Sequence, residues 1–450
     1  MGWLNSAQYA NGAQEAIVGV RVELTRRGGA NSTPEMRAVM KLKLLRRLAL
    51  VSAFSALPGL AGAQQVLPQA LAAGPPSSVP VALQILRWHM LDNDVSSLTF
   101  RSMDTLFTTR TVARSGPIWV LPHEERPLNV DYVWQNRHYS ASQFLERTYT
   151  NALLVMKNGR IVSEIYRNAT NERSRFIGWS MTKSVTSVLI GCALAENRID
   201  SLDTPISHYL PELQGGGYDG VSIRQVMQMR SGVDYEERYD FDHPGRAASN
   251  HIAALVRNTA RFADVARTLP RIHAPGSVFQ YKTIDTAVLG WLIERVTRGS
   301  VAAYTARCLW EPLGAESDAF YIMDGPPGIG REFSGAGFNA TLRDFARFGQ
   351  MVLNGGVADG RRVVSADWIR QSTQPSGPLA VNGGGGYGLQ WWTLGGGTFA
   401  AIGLQGQYIY VDPATQTVVV KLSYFPPGDN SALDEETRAF LHAASAWKPQ

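Results

Sequence analysis

At 450 residues, 44% of them hydrophobic, the chain is long enough for one large domain with a substantial core. Its formal net charge of +5 is local: eight of the 43 Lys/Arg but only three of the 38 Asp/Glu precede residue 48, and the remainder is balanced. Charge therefore gives no support to a nucleic-acid or anionic-membrane partner.

Residues 40–63, "MKLKLLRRLALVSAFSALPGLAGA", join a basic start, an apolar run from Leu48 to Leu60 and an Ala61-Gly62-Ala63 cleavage site. That is the pattern of a secretory signal peptide. The apolar run is short for a membrane span and is broken by Pro58 and Gly59. A mature chain beginning near Gln64, periplasmic or secreted and without a stable membrane anchor, is expected. Residues 1–39 precede a complete signal and read as an over-called start, the alternative being a genuine N-terminal extension. Residues 64–84, rich in Ala, Pro and Ser, read as a flexible linker or arm ahead of a domain over 85–450.

Within that domain, Ala152–Arg167 forms two β-runs joined by Asn158-Gly159, which tolerates positive φ at both turn positions and predicts a hairpin. "SMTKSVTSVLIGCALAE" from Ser180 reads as a buried helix. Asp203 to about Tyr239 reads as loops and short helices. Helical periodicity returns at Ile284–Thr297 and at "LRDFARFGQMVLNGG", which Gly355-Gly356 stops. Three β-runs follow, Thr398–Leu404, Gln407–Val411 and Thr417–Tyr424, then an amphipathic helix from about Leu433 to Ala446. Strands at both ends with helical sequence between predict an α+β domain. It would hold one antiparallel five-stranded sheet from 152–167 and 398–424, helices on both faces, and an all-helical lobe over about 200–390. Cys192 and Cys308 are the only cysteines. Export would permit a disulfide, but Cys192 lies in an apolar helix, where a free buried thiol is the commoner state.

Ser180 and Lys183 stand three residues apart and share a helical face. At a first turn the backbone N–H groups lack intrahelical partners and the dipole is positive. A hydroxyl there can give its proton to a neighbouring amine, provided burial lowers that amine from its usual pKa of about 10.4. Ser184, Ser187 and Gly191 continue a face of small residues suited to close approach by a sheet. S-x-x-K alone is a weak pattern, equally met by a serine cap and a first-turn lysine. Two further features add weight. Tyr281 precedes a helix, and "FAAIGLQGQYIYVDP" places a strand and a Gly-containing turn where a backbone N–H can join that of Ser180 in holding an oxyanion.

With these motifs in order, "YTNALLVMKNGRIVSE", "WSMTKSVTS", "VMQMRSGVDYEERY", "FQYKTIDTAVLGWLIERVT", "YGLQWW" and "GLQGQYIYVDP", the chain resembles the serine β-lactamase and penicillin-binding-protein superfamily over roughly 148–427. It is most similar there to class C-like esterases and 6-aminohexanoate-dimer hydrolases. The resemblance implies Ser180 as nucleophile, Lys183 as the activating amine, and Tyr281 as the proton shuttle to the leaving group. It implies an oxyanion hole from the N–H groups of Ser180 and Leu404. The β-lactamase Lys-Thr-Gly falls on Ala401-Ile402-Gly403. Tyr239 takes the place of a tyrosine that contacts the scissile amide, and Trp392 that of a pocket-lining tryptophan.

Two departures matter. Tyr-x-Asn reads Tyr281-Lys282-Thr283, so Thr283 must bond the amine with less reach. Ala401 replaces the cationic or imidazole residue that helps engage a β-lactam carboxylate. Together these imply an exported serine hydrolase of small esters or linear amides. Two alternatives stand, a penicillin-interacting peptidase or weak β-lactamase, and a silent protein that binds envelope fragments. The eight histidines show no metal spacing, and no metal or cofactor is expected. Asn382–Gly388 reads as a glycine-rich rim rather than a phosphate loop, and Tyr387, Trp391 and Trp392 as core plus pocket wall.

Overall fold

The structure is a computed structural model that describes residue 71 and residues 75–376 and 385–449. The expected signal peptide, the segment before it, residues 64–70 and 72–74 of the 64–84 arm and the start of the glycine-rich rim lie outside the described residues. The elements that position the site are, in chain order, α1 (Val81–Trp88), β1 (Thr150–Lys157), β2 (Arg160–Tyr166), α2 (Met181–Ala195), α3 (Thr283–Thr297), α4 (Leu342–Leu353), β3 (Gly386–Tyr387), β4 (Trp392–Gly395), β5 (Thr398–Gly403), β6 (Gln407–Asp412), β7 (Thr417–Ser423) and α5 (Ser431–Ala446).

The principal sheet is antiparallel, in the order β3-β4-β5-β6-β7-β1-β2. The β1–β2 turn carries Asn158 at φ 50° and Gly159 at φ 76°, as the hairpin requires. Strand alternation supplies two cores. Ala152, Leu154, Met156, Val418 and Val420 face an inner cluster shared with α2 and α4, and Leu153, Val155 and Val419 face an outer cluster shared with α5. Both faces being buried, every residue of β1 is inaccessible.

The sheet has seven strands rather than five. The additions are β3, of two residues, and the short bulged β4, neither long enough to show alternation. The lobe expected to be all-helical also holds Ala319–Ile322 and Phe338–Thr341, which join Thr109–Val112 and Arg175–Ile177 in a second, four-stranded sheet. Those two central strands are buried along their whole length, so period-two patterning is lost, and two of their partners lie far upstream.

The free thiol expected at Cys192 is also corrected. Cys192 is disulfide-bonded to Cys308, with Cα atoms 6.5 Å apart, a separation that suits a bridge. The apolar setting of a half-cystine looks the same in sequence as that of a thiol. The pairing follows from the approach of the turn Ala306–Trp310 to the end of α2, a tertiary event. At the described end of the arm, Ser77 Oγ donates to Arg257 O at 2.5 Å, Val79 is buried, and α1 begins at Val81.

Candidate active site

Helix α2 begins immediately after Ser180, whose own backbone is already helical, whereas Trp179 before it is left-handed at φ 45°. The helix is buried from its first turn. Its small-residue face meets a loop rather than the sheet: Ser184 Oγ donates to Gln390 O at 2.8 Å and Ser187 Oγ to Leu389 O at 2.7 Å, while Gly191 lies against the Trp368 indole.

Lys183 is 1% exposed. Its Nζ lies 3.0 Å from Ser180 Oγ, 3.1 Å from Thr283 Oγ1 and 2.8 Å from Gly335 O. Burial pulls its pKa down to about 8, and the Glu237 carboxylate opposes that fall. Tyr281 leads into α3. Its ring lies 4.9 Å from Lys183 Nζ and stacks on Trp392 at 5.5 Å, with Tyr387 set edge-on to it at 6.0 Å. Burial raises the phenol well above its ordinary value, a hydrogen bond with Ser180 pulls it back, and the Glu237 charge raises it further. Tyr281 is therefore a neutral phenol near neutral pH. Lys183, by contrast, is brought by burial far closer to neutrality than an exposed amine.

Thr283 takes the expected place beside the amine. Its hydroxyl donates to Glu237 Oε1, which leaves its lone pairs for Lys183. Glu237 Oε2 accepts from the Thr283 backbone N–H at 2.9 Å, capping the start of α3 with negative charge. Tyr239 also donates to Glu237 Oε1, at 2.7 Å. Tyr239 thus reaches the site through Glu237. Glu237 is not legible in the sequence, because a glutamate within "DYEERYD" carries no mark that separates it from a solvated surface charge. Nor is the Gly335 carbonyl, which no side-chain pattern reveals. Lys282 turns away and gives its Nζ to Val233 O at 2.5 Å.

The end of β5 presses on the nucleophile turn. A Cβ on Gly403 would stand 2.2 Å from Gly178 O and 3.2 Å from Ser180 N, so only glycine permits this approach of the strand end to the turn that carries Ser180. Ala401, on the same face two residues earlier, is buried in the inner core. Among the described residues no group of three or more His, Cys, Asp or Glu is placed to hold a metal ion.

This fold, with a serine and a buried lysine at the entrance of an apolar helix beside the end of an interior strand, defines a class of serine hydrolases. The Beta-lactamase family profile matches residues 141–444, and the chain belongs to that family, as a serine hydrolase acting on amides or esters. It is 36% identical over 345 residues to the 6-aminohexanoate-dimer hydrolase of Paenarthrobacter ureafaciens, covering 73% of this chain and 86% of that one. Among solved structures it is similar to a protein of Bacillus anthracis provisionally named a 6-aminohexanoate-dimer hydrolase (TM-score 0.71, 26% identity, 79% of this chain and 95% of that one). The octameric penicillin-binding protein homologue of Pyrococcus abyssi shares the fold (TM-score 0.51, 18% identity, 67% of this chain and 75% of that one).

Proposed function

We propose that the protein is an exported hydrolase that cleaves small esters or linear amides, amino-acid-like amides of the aminohexanoate-dimer type included, through an acyl-enzyme on Ser180. The observation that carries this reading is the buried Lys183 amine, 3.0 Å from Ser180 Oγ and lowered to about 8. In its neutral form Lys183 accepts the Ser180 proton as Oγ bonds to the substrate carbonyl carbon. The oxyanion is held by the N–H groups of Ser180 and Leu404. Tyr281, a neutral phenol, passes its proton to the departing amine or alkoxide as the C–N or C–O bond breaks, and recovers one from Lys183. Water then attacks the acyl carbon and gives its proton to Lys183, the C–Oγ bond breaks, that proton returns to Ser180 Oγ, and the acid leaves. Tyr239 and Trp392 border the substrate.

Export rests on the 40–63 signal pattern and is supported by the Cys192–Cys308 disulfide, since such bonds persist in oxidising compartments. A fluorophosphonate probe tests the chemistry: it should label the wild-type protein and not a folded Ser180→Ala variant. A panel of p-nitrophenyl esters and the aminohexanoate dimer should show turnover that disappears with the same substitution. Labelling that survives Ser180→Ala would place the nucleophile elsewhere.

A further inference from the structure

The two proposed oxyanion donors share an unusual neighbour. Ser180 follows Trp179, at φ 45°, and Leu404 precedes Gln405, at φ 54°. Both flanking residues are non-glycine and left-handed, a conformation that a side chain disfavours and that surrounding contacts must hold. In both cases a contact comes from one segment, 81–107, which precedes the residues matched by the family profile, while Gln405 O also accepts from Phe425 N at 3.2 Å and from Gln407 Nε2 at 3.1 Å.

On the Ser180 side, the Phe100 ring meets the Trp179 indole edge-on at 5.4 Å, and Phe100 O accepts from Ile177 N at 2.9 Å. On the Leu404 side, the buried Gln405 amide donates from Nε2 to Leu91 O at 2.9 Å. A third contact, Trp88 against Phe241 at 4.9 Å, supports the loop that carries Tyr239. The segment is itself anchored. Buried Arg87 donates to Leu106 O at 2.7 Å and to Leu255 O at 3.0 Å, and packs 4.3 Å from the centre of the Phe107 ring.

The geometry points to an N-terminal brace: the 81–107 segment positions both oxyanion donors by holding Trp179 and Gln405 in their left-handed conformations, with Phe100 as its principal positioning residue. This deepens the hydrolase reading and rests on it for the chemistry. The brace touches no substrate. It acts on the directions of two N–H groups, so its loss is felt where negative charge develops on oxygen and not in the binding of neutral substrate.

The full chain tests this. Phe100→Ala should lower kcat on a p-nitrophenyl ester at least tenfold while KM stays within about twofold, a split that marks loss of transition-state contact. Phenylboronic acid, whose adduct on Ser180 puts an oxygen between the donors, should bind more weakly by a similar factor. Gln405→Ala should behave alike, and Phe100→Leu should recover most of the loss. In a Trp179→Gly background, where positive φ carries no penalty, Phe100→Ala should cost much less than it does in the wild type. Hydrogen exchange reads the brace without substrate. Peptides covering 178–182 and 403–407 should exchange faster in Phe100→Ala, and the centre of β7 should not change. If Phe100→Ala lowers thermal stability but leaves kcat, boronate affinity and exchange at both peptides as they were, the brace is only a packing contact. If the wild-type protein shows neither labelling nor turnover, the hydrolase reading fails, and the exchange comparison still decides the brace.

Discussion

In the proposed mechanism the buried Lys183 amine must be neutral to take a proton, and that makes the site a pH-dependent one. Burial brings Lys183 down to about 8, so with its neutral form as the proposed base kcat/KM for an ester should rise with pH and level off above that value. Glu237 opposes the effect of burial, so Glu237→Gln should move this limb to lower pH while weakening the grip on Thr283 and reducing the plateau several-fold. A limb that stays in place in Glu237→Gln would show that the carboxylate does not act on the amine. Lys183→Ala should slow acylation by at least about a hundredfold, the lower range for lost general-base help. The pairing of Ser180 with Lys183 is legible in sequence because three residues of helix fix it. The contact of Lys183 with Thr283 is legible only through the resemblance. Glu237 is not legible at all, because its role arises from a loop folding back over the start of α3.

Among the elements, α2 shows how much a local pattern conveys. Its length, burial and entrance residues follow from periodicity, but the identity of its neighbours does not. The Ser184 and Ser187 hydroxyls meet the carbonyls of Gln390 and Leu389, just before β4, because Gln390 is itself fixed by Thr286 Oγ1 at 2.6 Å and by Met227 O at 2.7 Å. The far end of α2 is tied by Cys192 to Cys308, 116 residues on. Closing so long a loop restricts the unfolded chain, and removing such bridges typically costs about 2–4 kcal/mol. Urea unfolding of the protein should therefore show a Cys192→Ala, Cys308→Ala double variant less stable by that amount, with the denaturant slope reported alongside the midpoint. Reducing agent should lower the wild-type midpoint and leave the double variant alone. Equal midpoints for the two proteins under oxidising conditions would remove the bridge from any account of stability. Ester turnover by the folded double variant should stay near wild type, since Lys183 and Ser180 lie at the opposite end of the helix.

At the scale of the whole molecule, the sheet is assembled from both ends of the domain, and those ends carry clear strand signals. The second sheet, whose central strands are uniformly buried and whose partners lie elsewhere, leaves none. The same long-range assembly decides which charges meet a substrate. A β-lactam carries a carboxylate beside its scissile amide, and taking that anion out of water costs several kcal/mol unless a cation or several donors meet it. Lys183 cannot serve if, as proposed, it acts as a neutral base. Lys282, its neighbour in the tyrosine motif, is turned to Val233 O. Ala401 stands buried where the resemblance places a cationic or imidazole residue. A short ester or a simple amide brings no such anion to the reacting centre and needs only the two backbone donors, whose individual loss typically costs about 3–4 kcal/mol. The kcat/KM for short-chain p-nitrophenyl esters should accordingly exceed that for nitrocefin by at least about a hundredfold, or roughly 2.7 kcal/mol in the transition state. Steady-state rates for both substrates on one preparation check this, and nitrocefin turnover matching that of the esters would mean that another cation reaches the carboxylate.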